Sequence, residues 1–230
     1  MTIELKKRVK TSSILLLLAF FCIFSNDIVF FISLILITGL AFFEISEIIK
    51  KICKSVKSIK YFILNILALY YGLIIFIIPS IILRDSNTIL NSSINAGPMC
   101  ILFVLLICIF TDIGGYFVGK KIGGKKLSNI SPSKTISGSI GSFIFSIIPL
   151  LIFSFIYSEE YLINVKNISL CLLVSLISQM GDLFISFTKR KANVKDTGRI
   201  LPGHGGILDR IDGIIFALPF AWLILYYGFI

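Results

Sequence analysis

The chain has 230 residues, 57% of them hydrophobic, with a formal net charge of +10 and a mean hydropathy of +0.98. A soluble domain of this length could not bury so much apolar surface, and the polarity of a disordered chain is missing. The apolar runs are continuous, which suits helices of about 20 residues crossing a bilayer and not the alternating strands of about 10 residues of a membrane barrel.

An all-α, polytopic membrane bundle is therefore expected, forming one integral membrane domain over 1–230. It should hold about seven transmembrane helices and one interfacial amphipathic helix. Residues 12–24 and 28–43 are apolar runs separated by Ser25, Asn26 and Asp27, and they read as a helical hairpin. The opening KKRVK followed by ILLLLAFFCIF resembles a signal peptide, but no small-residue cleavage site follows, so a retained first membrane segment is expected. Residues 44–60 place Ile45, Ile48, Ile49, Ile52 and Val56 at helical spacing with lysines between them, the pattern of a helix lying at anionic headgroups. Further spans are expected over about 61–83, 98–118, 138–157, 168–187 and 211–230. The cysteines Cys22, Cys53, Cys100, Cys108 and Cys171 form no CxxC or Cys/His pattern and read as small apolar residues.

Charge orients this series. With the N-terminus in the cytoplasm, 20 of the 22 Lys/Arg residues fall in the inner segments 1–11, 44–60, 119–136 and 188–210, leaving Arg84 and Lys166 outside. That is the positive-inside pattern, and an odd number of spans puts the C-terminus outside. The basic charge then needs no nucleic-acid partner: aromatic and basic residues are not interleaved for base stacking, and membrane lipids and phosphates account for the cations.

Two inner segments concentrate polar chemistry. In 111–142, Asp112 lies near the inner end of an apolar run, where a carboxylate is costly unless paired or wet. The glycines of GGYFVGKKIGG allow close approach of a ligand or of another helix. SPSKT offers Ser131, Lys134 and Thr135 ahead of a helix start, as an anion site or as an ordinary cap, and both readings are open from this segment alone. The stretch 186–212, preceded by QMGD at 179–182, brings Asp182, Asp209 and Asp212 together with Lys189, Arg190, Lys195 and Arg210, and with Gly205 and Gly206 beside the single histidine, His204. A spacing of three puts Asp209 and Asp212 on one helical face. Carboxylates beside phosphate-seeking cations suggest Mg²⁺ and a polyphosphate, since Mg²⁺ is commonly held by one or two carboxylates plus substrate phosphates. No His/Cys/Glu set argues for zinc, and no nucleophile–base pair argues for a covalent intermediate. SPSKT and 186–212 are expected to serve one cytoplasm-facing cavity.

At these residues the chain resembles the phosphatidate cytidylyltransferase, or CDP-diacylglycerol synthase, family. Ser186, Lys189-Arg190, Lys195-Asp196, Gly198, Pro202, His204-Gly205-Gly206, Asp209-Arg210 and Asp212 fall at the spacing of the family signature. Upstream, Gly181-Asp182, Asp112 with Tyr116, and Ser131, Pro132, Lys134, Thr135 and Gly138 also fit. Thr188 stands where the signature has an aliphatic residue, and Ile185 and Ser137 stand where many members carry glutamate.

The resemblance covers 111–230, making it the catalytic half, while 1–110 matches only as membrane helices. It implies transfer of the cytidylyl group of CTP to phosphatidate, with pyrophosphate released. It implies Asp182, Lys189, Arg190, His204, Asp209 and Arg210 as catalytic residues. Asp112, Tyr116, Ser131, Lys134, Thr135, Ser186, Lys195, Asp196, Gly205 and Gly206 would bind substrate. Asp182, Asp209 and Asp212 would hold Mg²⁺, with room for a second cation. It further implies a multi-pass protein of the inner membrane facing the cytoplasm, with a homodimer left open. A CTP-dependent transferase with another lipid acceptor, or a transporter, are the competing readings. A carrier would place its acids near the midplane of inverted repeats, and no repeat is visible.

Overall fold

The computed structural model describes residues 3–54, 56–85, 96–128, 131, 134–157, 163–201 and 205–227. Among these, the regular structure is helical, with β-pairing limited to the isolated bridges Lys126–Thr135 and Leu201–Gly205. The helices are α1 (Ile3–Phe24), α2 (Asp27–Cys53), α3 (Ile59–Tyr70), α4 (Ile78–Asp85), α5 (Ala96–Ile122), α6 (Ile136–Phe145), α7 (Ile148–Tyr157), α8 (Val165–Lys191), α9 (Leu208–Ile211) and α10 (Ile214–Tyr227). Five segments are long and apolar enough to cross a membrane: 27–53, 59–84, 97–122, 136–156 and 165–191. Thr11–Phe24 is a shorter apolar helix, and α10 is a 14-residue apolar one. The chain is a multi-pass membrane protein by these helices, and many of their large apolar side chains face outward, among them Leu17, Ile66 and Phe155.

Contacts divide the chain into two compact units. One is Met1–Ile81 with Thr188–Ile211, and the other is Ile82–Phe187 with Asp212–Ile230.

In the first unit the expected hairpin turn forms at Ser25–Asp27. Asn26 caps α2 by accepting from the Val29 N–H at 2.9 Å, and Asp27 stands in the first turn, where a negative charge suits the helix dipole. The lysine-bearing stretch 44–60 does not form a separate interfacial helix. Residues 44–53 continue α2, which ends where Lys54 turns left-handed at φ 57°. The reason is packing: Glu44, Ile48 and Ile49 are buried, on the side that Phe30, Leu34 and Ala41 began, so one stripe runs the length of the helix. Between α3 and α4 the backbone widens into a π-helical stretch, Tyr71–Ile77, just before Pro79. A proline ring clashes with the carbonyl four residues earlier and donates no hydrogen bond, so a widened turn ahead of it relieves both problems. The Ser80 hydroxyl meets the Phe76 carbonyl at 2.7 Å.

In the second unit α5 packs on α6 through glycines. A Cβ on Gly138 would lie 2.8 Å from the Gly115 carbonyl oxygen, and one on Gly141 would lie 2.8 Å from that of Gly114. Small residues let two backbones meet at this distance, which is how helices associate where lipid removes the hydrophobic drive. Gly114, Gly115, Gly119, Gly138 and Gly141 thus serve helix contact. Around them runs a polar network in an otherwise apolar interior. The Ser142 hydroxyl donates to the Thr111 carbonyl at 2.8 Å, Thr111 Oγ1 to Ser175 Oγ at 2.9 Å, and Ser139 Oγ to Gln179 Oε1 at 2.6 Å. This ties α5, α6 and α8 in register. Cys100, Cys108 and Cys171 are buried as small apolar residues, as expected.

Gly141→Leu should therefore cost about 1–3 kcal/mol or more, the range for overpacking, because part of what it meets is backbone. Gly39→Ala is the control, since a Cβ there meets open space. Thermal midpoints in detergent should fall for the first and hold or rise for the second.

Candidate active site

The second unit sets Lys134 against Asp182. After α5, Gly123 and Gly124 take φ of 66° and 107°, and the chain runs back so that 125–127 pairs with 134–136: Leu127 N donates to the Lys134 carbonyl at 2.8 Å and Ile136 N to that of Lys125 at 3.0 Å. Thr135 then caps α6, accepting from Gly138 N at 3.1 Å. Ser137, at a position where a glutamate was expected, donates to the Gly123 carbonyl and so fastens the same turn. The cap reading of SPSKT is therefore realised by Thr135. Lys134 does something else: its ammonium is ion-paired with Asp182 Oδ2 on α8, with both side chains about one-quarter exposed. The other Asp182 oxygen accepts from the Ser186 hydroxyl at 3.3 Å, one turn along α8.

Other residues of this unit are placed as follows. Ser131 is buried, and its carbonyl accepts from the Lys134 N–H at 3.1 Å. Asp112 and Tyr116 lie on exposed positions of α5, and Tyr116 takes a 3.2 Å hydrogen bond from Lys120. Asp212 lies in the turn between α9 and α10, so it does not share one continuous helix with Asp209 as its spacing suggested. The break comes at Gly213, where a Cβ would strike Ser178, and the Asp212 carbonyl rests against Gly181, the neighbour of Asp182.

The first unit builds its own pair. Lys189, at the end of α8, donates to Asp209 Oδ1 at 2.6 Å, with side chains 14% and 8% exposed. Asp209 Oδ2 accepts from Thr197 N at 2.8 Å, Thr197 Oγ1 at 3.0 Å and Gly206 N at 3.1 Å. Gly205 holds φ of 83°, and a Cβ there would also meet Asp209 Oδ2 at 2.9 Å, so this position needs glycine twice over. Burial pushes the Asp209 carboxyl up, but Lys189 and the Thr197 and Gly206 N–H groups outweigh it and hold the group below its ordinary 3.8. Arg190, Lys195, Asp196 and Arg210 are exposed. His204, expected to be catalytic, lies outside the described residues.

A residue absent from the motifs completes this unit. Glu44 of α2 is 5% exposed, and its carboxylate accepts from Thr197 Oγ1 at 2.8 Å, Ile207 N at 2.9 Å and Leu208 N at 2.9 Å. Its signal in the sequence was a carboxylate set into the apolar run LAFFEIS.

The donor sets bear on a metal. Among the described residues no group of three or more His, Cys, Asp or Glu could hold an ion unaided. Asp182 and Asp209 each keep a lysine ammonium beside them, and on Asp209 it is Oδ1 that Lys189 meets while Oδ2 takes the loop donors. Such carboxylates fit an ion that takes one or two protein ligands and completes its shell on phosphate.

A helical membrane protein with these lysine–aspartate pairs can be placed by comparison. Residues 49–228 match the model of the Cytidylyltransferase family, and the chain belongs to that family. The phosphatidate cytidylyltransferase of Bacillus subtilis (strain 168) is 39% identical over 130 residues, 56% of this chain and 48% of the relative. That of Staphylococcus aureus (strain COL) is 47% identical over 125 residues, 54% of this chain and 47% of the relative. That of Staphylococcus haemolyticus (strain JCSC1435) is 44% identical over 126 residues, with the same shares. The chain spans about half the length of the curated relatives it matches.

Because the folded Asp209 value is depressed, its contribution to stability is complete above its unfolded value and is lost as pH falls through the folded one. Thermal midpoints taken at about pH 5 and about pH 3 should show a smaller acid loss in Asp209→Asn than in the wild type. Lys189→Met leaves a buried charge without its ammonium and should cost on the order of 3 kcal/mol, read by denaturant unfolding.

Proposed function

We propose that the chain transfers the cytidylyl group of CTP to phosphatidate, giving CDP-diacylglycerol and pyrophosphate. The observation that carries this reading is the pairing of motif lysines with motif aspartates, Lys134 with Asp182 and Lys189 with Asp209. Membership of the family and relatives named phosphatidate cytidylyltransferase support it. The relatives are bacterial, which supports the inner membrane as the location, with the basic segments facing the cytoplasm, where CTP is found.

A phosphate oxygen of phosphatidate attacks the α-phosphorus of CTP. The bond from that phosphorus to the bridging oxygen breaks, and pyrophosphate leaves with the electron pair. Transfer of this kind needs positioning and charge neutralisation more than covalent help from the protein. Asp182, with Asp212 as a further ligand, and Asp209 would each hold Mg²⁺ within its own unit, which admits a second cation. When bound, the ion neutralises phosphate charge and makes the α-phosphorus a better electrophile. The protein's own cations do the rest. Lys134 and Lys189 leave their aspartates for phosphate oxygens as substrate and metal enter. Exposed Arg190, Lys195 and Arg210 draw in the triphosphate, the arginines by two-point contacts. Ser186 orients Asp182 through the bond it already makes.

The test is pyrophosphate release by the purified chain. It should require both CTP and phosphatidate, and Asp182→Asn or Asp209→Asn should reduce it by about 100-fold or more while the protein still inserts. Lys134→Ala should weaken CTP use, whereas Lys121→Ala, a residue beside the membrane without an aspartate partner, should change little at fixed salt. Wild-type rates in either aspartate variant at limiting Mg²⁺ would overturn the metal assignment, and nucleotide uptake into vesicles without pyrophosphate would replace the transferase by a carrier. Orientation is checked with an impermeant maleimide on intact cells. A cysteine replacing Lys125 should be protected, and one replacing Lys166 labelled.

A further inference from the structure

Glu44 lies ahead of the stretch 49–228 that matches the family, and no motif accounts for it. Its surroundings are nevertheless fitted to it. It is 5% exposed, and its two oxygens take three donors from both sides of one loop: the Thr197 hydroxyl before, and the Ile207 and Leu208 N–H groups after. Two signature glycines clear room for it. A Cβ on Gly198 would lie 2.9 Å from Glu44 Cδ, and one on Gly206 would lie 2.6 Å from the same atom. These positions are small because a carboxylate from α2 occupies the space.

The Thr197 hydroxyl links this carboxylate to Asp209. It lies 2.8 Å from Glu44 Oε2 and 3.0 Å from Asp209 Oδ2. A hydroxyl has a single proton to donate, so Thr197 bonds one acid at a time or shares that proton between them, and in either case its oxygen sits within 3.0 Å of both carboxylates. The Thr197 and Gly206 N–H groups on Asp209 belong to residues that Glu44 also touches, through the Thr197 hydroxyl and by contact at Gly206.

We propose that Glu44 is a positioning residue for Asp209, which it holds in its working orientation through Thr197 and the 206–208 backbone. This rests on the reading of Asp209 as a metal-holding carboxylate of the transferase. Glutamine at 44 offers one acceptor oxygen where three donors converge, and its amide N–H₂ would face another donor. Aspartate keeps the charge but shortens the reach.

The experiment compares the full chain in detergent with Glu44→Gln, Glu44→Asp, Thr197→Val, Thr197→Ser and, as a control, Glu47→Gln. Glu47 is exposed on the same helix. In Glu44→Gln, turnover should fall and the Mg²⁺ needed for half-maximal rate should rise, each by about tenfold, the scale for loss of an outer partner of a metal ligand. Amide hydrogen exchange gives the readout that a merely structural anchor would not move. The amides of Thr197 and Gly206, which bond to Asp209, should exchange faster together with those of Ile207 and Leu208. Thr197→Val should reproduce the effect even if Glu44→Gln fails to insert, Thr197→Ser should restore it, and Glu44→Asp should fall between glutamine and wild type. Faster exchange confined to Ile207 and Leu208, or an unchanged Mg²⁺ requirement in folded Thr197→Val, overturns the proposal. A wild-type chain that releases no pyrophosphate overturns the transferase reading instead, and the Thr197 and Gly206 amides still decide whether Glu44 positions Asp209.

Discussion

An ionised carboxylate taken out of water without partners costs several kcal/mol, so a chain that buries one must bring donors to it. In the first unit this requirement organises the loop between α8 and α10. Glu44 and Asp209 gather the Lys189 ammonium, the Thr197 hydroxyl and four backbone N–H groups. Among its described residues the loop has little regular structure beyond one bridge and the four-residue α9. The two acids substitute for the hydrogen-bond ladder that a helix or sheet would supply, and they do so with charge, which strengthens each bond.

The second unit meets the same cost by another route. Its interior is drawn tight by glycines between α5 and α6, with the Thr111 hydroxyl donating to Ser175 and the Ser142 hydroxyl to the Thr111 carbonyl. That register carries the start of α6 to a fixed place beside α8, and Lys134 arrives at Asp182 as a consequence. A methyl added at Gly138 or Gly141 meets the backbone of α5, so the packing that carries Lys134 towards Asp182 has little slack.

Much of this was legible in the chain. The apolar runs marked the helices, the polar break at Ser25–Asp27 marked the turn between two of them, SPSKT was open to a helix-start cap, and the aspartates stood out because carboxylates at the ends of apolar runs demand a reason. What was not legible depended on distance along the chain. The pattern of isoleucines and lysines in 44–60 has the same period whether the helix lies free at an interface or extends α2, and only the packing of Ile48 and Ile49 decides. The glycines signalled close approach without naming the partner. The spacing of Asp209 and Asp212 fitted one helical face, but Gly213 against Ser178 breaks the helix between α9 and α10. Glu44 was passed over as one charge at the edge of an amphipathic stretch, since the groups that explain it come far downstream.

That separation has a consequence for how the protein is made. Glu44 and Thr197 are 153 residues apart. At roughly 5–20 residues per second, about 8–30 seconds of synthesis separate them. Throughout that interval α2 is already a membrane segment, and its glutamate has none of its later donors. Until the loop emerges, water or headgroups must take the place of those donors. The arrival of Thr197 and Leu208 is thus an assembly step, in which the carboxylate of an early helix gains its partners from a late loop.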